Sequence, residues 1–98
     1  MYATVRRTKC KPGKVDAVAD LIEKEYIPKL GDLDGVISYT VVQSGHDEVS
    51  CLGIFTSETG AIAADGLAVL WLNDRLKHLG GPVEALDGPV LVYAAAPS

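Results

Sequence analysis

A single α+β domain, with elements in the order β-α-β-β-α-β around an antiparallel sheet, is the fold predicted by this 98-residue sequence. Three observations lead there. Strand-like and helix-like periodicities follow one another in that order. A tight turn at Ser44-Gly45-His46-Asp47 joins two of the strand segments directly, as in a hairpin. The segments Val36 to Val42, Val49 to Phe55 and Val90 to Ala96 are apolar on both faces, yet only two helical segments are available to cover them. With right-handed crossovers this order gives a ferredoxin-like sheet with strands one and three central and the helices on one face. The bare face then calls for a second copy, two sheets packing face to face in a closed two-fold dimer.

Tyr2 to Cys10 carries β-branched and aromatic residues suited to a strand, and Lys11-Pro12-Gly13 stops it. From Lys14 to about Leu30 the residues Val15, Val18, Ala19, Ile22, Tyr26 and Leu30 recur at helical spacing, and Pro28 is expected to kink that helix or end its regular part near Tyr26. Gly31 to Gly35 is a turn-rich connection into strand two. Ser57 followed by Glu58 reads as a capped helix start. Gly60 and Gly66 predict a short helix, a break and a longer helix, which Gly80-Gly81-Pro82 ends. Residues 83–89 read as an irregular connector, and Val90 to Ala96 as the fourth strand.

Composition narrows the function classes. A chain this short buries only about 60–70% of the surface its unfolded form exposes, so residues 1–98 make one domain whose core a dimer would thicken. No apolar run reaches the ~20 residues needed to span a bilayer, and Arg6, Arg7, Lys9 and Lys11 interrupt the first segment, unlike a signal peptide. The expectation is a cytoplasmic protein with no membrane association. A net charge of −4 does not favour nucleic acid as a partner. Residues 6–14 hold five bases and no acid, so against that total the remainder carries −9. Such a cluster either attracts an anionic or phenolate ligand or balances neighbouring acids. Cys10 and Cys51 are too few for a disulfide framework and lack zinc-site spacing. They read as small buried hydrophobes or, if adjacent strands bring them close, as a redox pair. His46 and His78 are far apart in sequence and no metal site is expected.

Several local patterns together resemble a known family. These are the start Val5-Arg6-Arg7-Thr8-Lys9-Cys10-Lys11-Pro12-Gly13-Lys14-Val15, the loop Asp34-Gly35-Val36 leading to Tyr39, and the exit Phe55-Thr56-Ser57 ahead of a helix bearing Trp71. Over about residues 2–95 they resemble the antibiotic biosynthesis monooxygenase-like domains of the dimeric α/β-barrel superfamily. The resemblance implies a pocket between sheet and helices in each protomer, and a barrel made of two sheets. Enzymes of this kind include cofactor-independent oxygenases acting on quinols and anthrones, and a branch that binds and degrades haem. That branch uses a strand-one asparagine, a tryptophan early in the second helical region and a histidine about ten residues later. This chain lacks the asparagine, has Ala61-Ile62-Ala63-Ala64 early in that region, and carries Trp71 and His78 later and closer together.

A cofactor-independent oxygenase needs a base, donors for a developing oxyanion and a water-poor pocket. Trp71, Arg75 and His78, at i, i+4 and i+7, share one side of a helix and are the candidate catalytic residues. A tryptophan gives a flat wall, an arginine stabilises an enolate or phenolate, and a histidine takes a proton near neutral pH. Each also has a plain structural reading, because Val69, Leu72, Leu76 and Leu79 form a neighbouring stripe better suited to face the core. Tyr39 and Tyr26 are candidate ligand-binding residues or core residues with satisfied hydroxyls. Arg6 and Arg7 point to opposite faces of strand one, so one of them faces the pocket or dimer interior, as an anion site or in a structural ion pair. Two functions follow. One is a homodimeric monooxygenase, free of cofactor and metal, oxidising a small aromatic phenol, quinol or anthrone. The other is a non-catalytic small-molecule-binding or structural homodimer.

Overall fold

In the computed structural model, which describes residues 1–96, four strands form one antiparallel sheet in the order β2-β3-β1-β4. Strand β1 (Tyr2–Cys10) lies beside β3 (Glu48–Phe55) at the centre, with β2 (Val36–Gly45) and β4 (Gly80–Pro89) at the edges. Helices α1 (Val15–Leu21) and α2 (Ile27–Leu30) flank a π-helical turn (Ile22–Tyr26), and α3 (Glu58–Trp71) is followed by α4 (Asn73–Leu76). This is the expected ferredoxin-like arrangement with β1 and β3 central. No described helix is long and apolar enough to cross a membrane.

The first helix buries Val18, Ile22, Tyr26 and Leu30, four residues apart, on the sheet. Pro28 has no N–H to offer Lys24 and its ring crowds that carbonyl. The chain answers with the wider π turn just ahead and places Pro28 in the first turn of α2, where the missing donor costs least. The sheet contributes Val49, Cys51 and Phe55 from β3 and Cys10 from β1 to the same core, and the second helical region adds Ala61, Ala64, Leu72 and Leu76.

Two sequence expectations fail. The second helical region does not break at its glycines: Ser57 caps α3, its hydroxyl accepting from the Gly60 N–H at 3.4 Å, and the helix runs on to Trp71. It breaks at Leu72, whose φ of −125° leaves the helical region while its side chain stays buried. The fourth strand is 80–89, not 90–96. Because β4 runs antiparallel to β1, with Thr8 opposite Val83 and Tyr2 opposite Pro89, pairing runs out where β1 begins, and the Val90 N–H makes one last bond to the Met1 carbonyl at 2.9 Å. Pro82, Glu84, Asp87, Gly88 and Pro89 mimic a connector in sequence, yet an edge strand tolerates proline. Its acids answer the arginines of β1. Leu91 and Val92 beyond it are 92% and 88% exposed.

The two cysteines, expected to approach if strand order allowed it, do not. Cys51 sits opposite Arg6, and Cys10 lies four residues further along the same strand, about 13 Å away at strand rise. Both are free thiols, and that separation rules out a bridge without backbone movement.

The sheet face turned away from the helices carries a cross-strand row of Leu86, Val5, Leu52 and Thr40. Leu52 is 42% and Leu86 73% exposed.

Two glycines meet opposite backbone demands. Gly35 has φ +85°, and a Cβ there would lie 2.5 Å from the Thr56 hydroxyl. Gly35→Ala is expected to lower stability by about 1–2 kcal/mol or more, from the left-handed backbone plus the clash. Gly66 in α3 is exposed and has open space around it. Gly66→Ala is expected to raise stability by about 0.5–1 kcal/mol. Urea unfolding midpoints of the two variants should move in opposite directions.

Candidate functional site

Strand parity decides what faces the helices. On β1 the even-numbered Thr4, Arg6 and Thr8 point to the helix side, as do Val49 and Cys51 on β3 and Tyr39 on β2. Ile22 and Tyr26 of the π turn and Ala64, Asp65 and Ala68 of α3 stand over them. Between these layers lies a cavity of about 300 Å³. Its outer lining is Val69, Leu72, Asn73 and Leu76 from the second helical region and Val83 and Ala85 from edge strand β4.

The cavity's charge sits at one place. The Arg6 guanidinium, 19% exposed, is held by Asp65 of α3 at 2.6 and 2.8 Å and by Asp87 of β4, whose Oδ2 lies 3.1 Å from Nη2 and whose Oδ1 contacts Nη1. The strand-one arginine on the helix side is therefore a structural ion pair, forked between two carboxylates. Arg7 points to the opposite face and pairs with Glu84 at 3.1 Å and Glu48 at 3.6 Å.

Deeper in, Tyr26 donates to the Ala64 carbonyl at 2.9 Å and meets Tyr39 edge to face, centroids 5.5 Å apart and planes at 68°. Burial pushes the Tyr26 phenol up to about 12, helped by the Asp65 charge. Burial raises the Tyr39 phenol further, and the neighbouring Cys51 adds to it. The Cys51 thiol is also raised by burial, with Tyr39 and Arg6 acting against it. At neutral pH the cavity thus holds protonated phenols and a protonated thiol rather than a thiolate nucleophile, the Tyr26 proton being given to the Ala64 carbonyl.

Of the residues singled out in the sequence, Tyr26, Tyr39 and Arg6 come together on this cavity. Trp71, Arg75 and His78 do not. Leu72 and Leu76 take the inward positions, which turns the other three outward. Trp71 is 48% exposed and lies under the Lys29 ammonium, 4.4 Å from the ring centroid. Arg75 pairs with Glu25, and His78 is exposed in the turn after α4. Trp71 and Arg75 thus strap the second helical region to the first. The residues missed were Asp65, Asn73 and Asp87, while Cys51, expected as a buried hydrophobe or redox partner, lines the cavity. Asp65 left a signal, being the one acid in the otherwise apolar run Ala61 to Trp71. Among the described residues no group of three His, Cys, Asp or Glu is placed to hold a metal ion.

No family model and no curated protein sequence matches this chain. Solved structures do. A protein of unknown function from Nitrosomonas europaea superposes with a TM-score of 0.83 at 20% identity, over 99% of this chain and 95% of that one. A monooxygenase from the ActVA-Orf6 gene of Streptomyces coelicolor, solved in complex with nanaomycin D, gives 0.78 at 21% identity over 99% and 92%. A candidate antibiotic biosynthesis monooxygenase from Nitrosomonas europaea gives 0.78 at 15% identity over 92% and 89%. The chain therefore has the fold of the antibiotic biosynthesis monooxygenase-like proteins.

The raised phenols make stability pH-dependent in a defined direction. In the unfolded chain tyrosine ionises near about 10, whereas Tyr26 in the fold holds its proton up to about 12. The folded state then binds more protons, so this contribution is intact below the unfolded value and is lost as pH rises through that window. Wild-type urea midpoints should fall across that alkaline range, and Tyr26→Phe should fall less steeply, after a constant loss of about 1 kcal/mol for the missing hydrogen bond. Parallel declines would show that Tyr26 is not coupled to folding.

Proposed function

We propose that the protein is a homodimeric, cofactor-independent monooxygenase acting on a small aromatic phenol, quinol or anthrone in this cavity. The observation that carries the reading is the pairing of the edge-to-face aromatic surface of Tyr26 and Tyr39 with one carboxylate, Asp65, on the cavity wall. The fold shared with the nanaomycin D-bound Streptomyces monooxygenase supports it by analogy.

In this reading the aromatic ring lies along Tyr39 and Tyr26, whose hydroxyls orient its oxygen. Asp65 takes the substrate proton. Protonation weakens the hold of Asp65 on Arg6, so the guanidinium faces the anion as it forms. The total charge of the site and substrate is unchanged by that transfer. For an anthrone, the carbanion reduces oxygen; one oxygen atom ends in the new ring carbonyl, and the other leaves as water with the two hydrogens of the former methylene.

The second reading, a non-catalytic binding dimer, draws support from a different observation: Arg6 is already matched by two carboxylates, and the deep donors hold their protons. Oxygen uptake by chelator-treated protein against a panel of quinols and anthrones decides between the two. The expected result is uptake above the uncatalysed rate, reduced about 100-fold in Asp65→Asn. Absence of uptake across the panel, with aromatic ligands still bound, would leave the binding role.

The dimer rests on the open sheet face, where Leu86, Val5 and Leu52 align across three strands. Two such faces together would remove that row from water. Sedimentation should show a dimer at micromolar concentration, and Leu52→Glu should yield a folded monomer. A monomeric wild-type protein would refute the shared-sheet arrangement.

A further inference from the structure

Resting on the reading of the cavity as a binding site, we infer that it selects uncharged ligands and rejects anionic ones, with Asp65 and Asp87 setting that selectivity through their hold on Arg6. The basic run of residues 6–14 invites the opposite expectation of an anion site. At this cavity the geometry of its two arginines removes that option. Arg6 is the only cation on the cavity lining among the described residues. Its outer nitrogens are taken by two carboxylates, with contacts at 2.6, 2.8 and 3.1 Å among them, and Nη1 also donates to the Val5 carbonyl at 3.0 Å. Arg7 is turned to the other face and matched by Glu84 and Glu48. The Arg6 fork therefore carries one negative charge in excess, and a carboxylate or sulfonate entering the cavity would meet Asp65 with no free cation to receive it. An uncharged hydroxyl or carbonyl meets Tyr39, Thr4 and Asn73 instead, groups that hydrogen-bond without a charge penalty.

The consequence for chemistry is a division of labour. The substrate enters in its protonated form and ionises only inside, where the Asp65 it meets is the proton acceptor. A ligand already ionised in solution is excluded at the wall.

Two fluorescent probes of nearly the same skeleton test this: N-phenyl-1-naphthylamine, which is neutral, and 8-anilino-1-naphthalenesulfonate, which is an anion. Each is titrated into the purified protein, into Asp65→Asn and Asp87→Asn, and into Ala68→Phe, which fills the cavity from its α3 wall. The neutral probe should bind wild type and lose its binding in Ala68→Phe. The sulfonate should bind the cavity at least about tenfold more weakly, and each asparagine variant should narrow that gap by about tenfold by releasing part of the guanidinium. If Asp65→Asn fails to fold, judged by circular dichroism, Asp87→Asn carries the comparison. Equal affinities for the two probes, both lost in Ala68→Phe, would overturn the selectivity and leave the binding site standing. An unchanged gap in the folded asparagine variants would also overturn it. Failure of the neutral probe to bind in a manner sensitive to Ala68→Phe would overturn the binding site and the selectivity together.

Discussion

Arg6 sits in the middle of central strand β1, and its guanidinium reaches Asp65 on α3 and Asp87 on the edge strand β4. A charge this little exposed cannot stay unmatched, because the attraction of its partners must offset the loss of water. That requirement fixes several things at once. It sets which face of β1 turns inward, it ties α3 to the edge strand β4 across the central strand, and it leaves the space beside the fork as a cavity. The same strand handles its second arginine in the opposite way. Arg7 lies on the outer face, half-exposed, where the exposed Glu84 on β4 pairs with it at little gain in stability and the more buried Glu48 on β3 lies further off.

The roof of the cavity depends on a backbone irregularity. Pro28 forbids a regular helix through Lys24, and the π turn that absorbs it spans Ile22 to Tyr26, two of whose side chains face the cavity. Widening the helix there is what carries the Tyr26 hydroxyl to the Ala64 carbonyl and its ring to the edge of Tyr39. Outside the roof, Lys29 over Trp71 and Glu25 with Arg75 link the same helix to α3 and α4. Trp71 and Arg75, whose chemistry suggested catalysis, thus act as straps, while a phenol pair and an acid-bound arginine define the interior.

The two faces of the sheet differ. Its helix face meets only protonated phenols and a protonated thiol, and burial is the main reason, since it disfavours the charged forms of Tyr39 and Cys51 on the strands and of Tyr26 above them. Its other face keeps an aligned row of large aliphatic side chains that nothing in the protomer covers.

Local periodicity by itself determined the element order, the hairpin at His46-Asp47, the buried stripe from Val18 to Leu30 and the disturbance at Pro28, because each depends on neighbours a few residues away. Strand alternation also determined that Arg6 and Arg7 diverge. The tertiary structure alone decided which of them faces inward, since that depends on Asp65 and Asp87, distant in sequence. It alone decided the fourth strand: residues 83–89 look like a connector until β1 supplies a partner of matching length and opposite charge, whereas the apolar run 90–96 lies past the end of that partner. It alone separated Trp71, Arg75 and His78 from the cavity. Helical spacing places them on one side, but which side turns inward is settled by how Leu72 and Leu76 pack against residues from the other end of the chain.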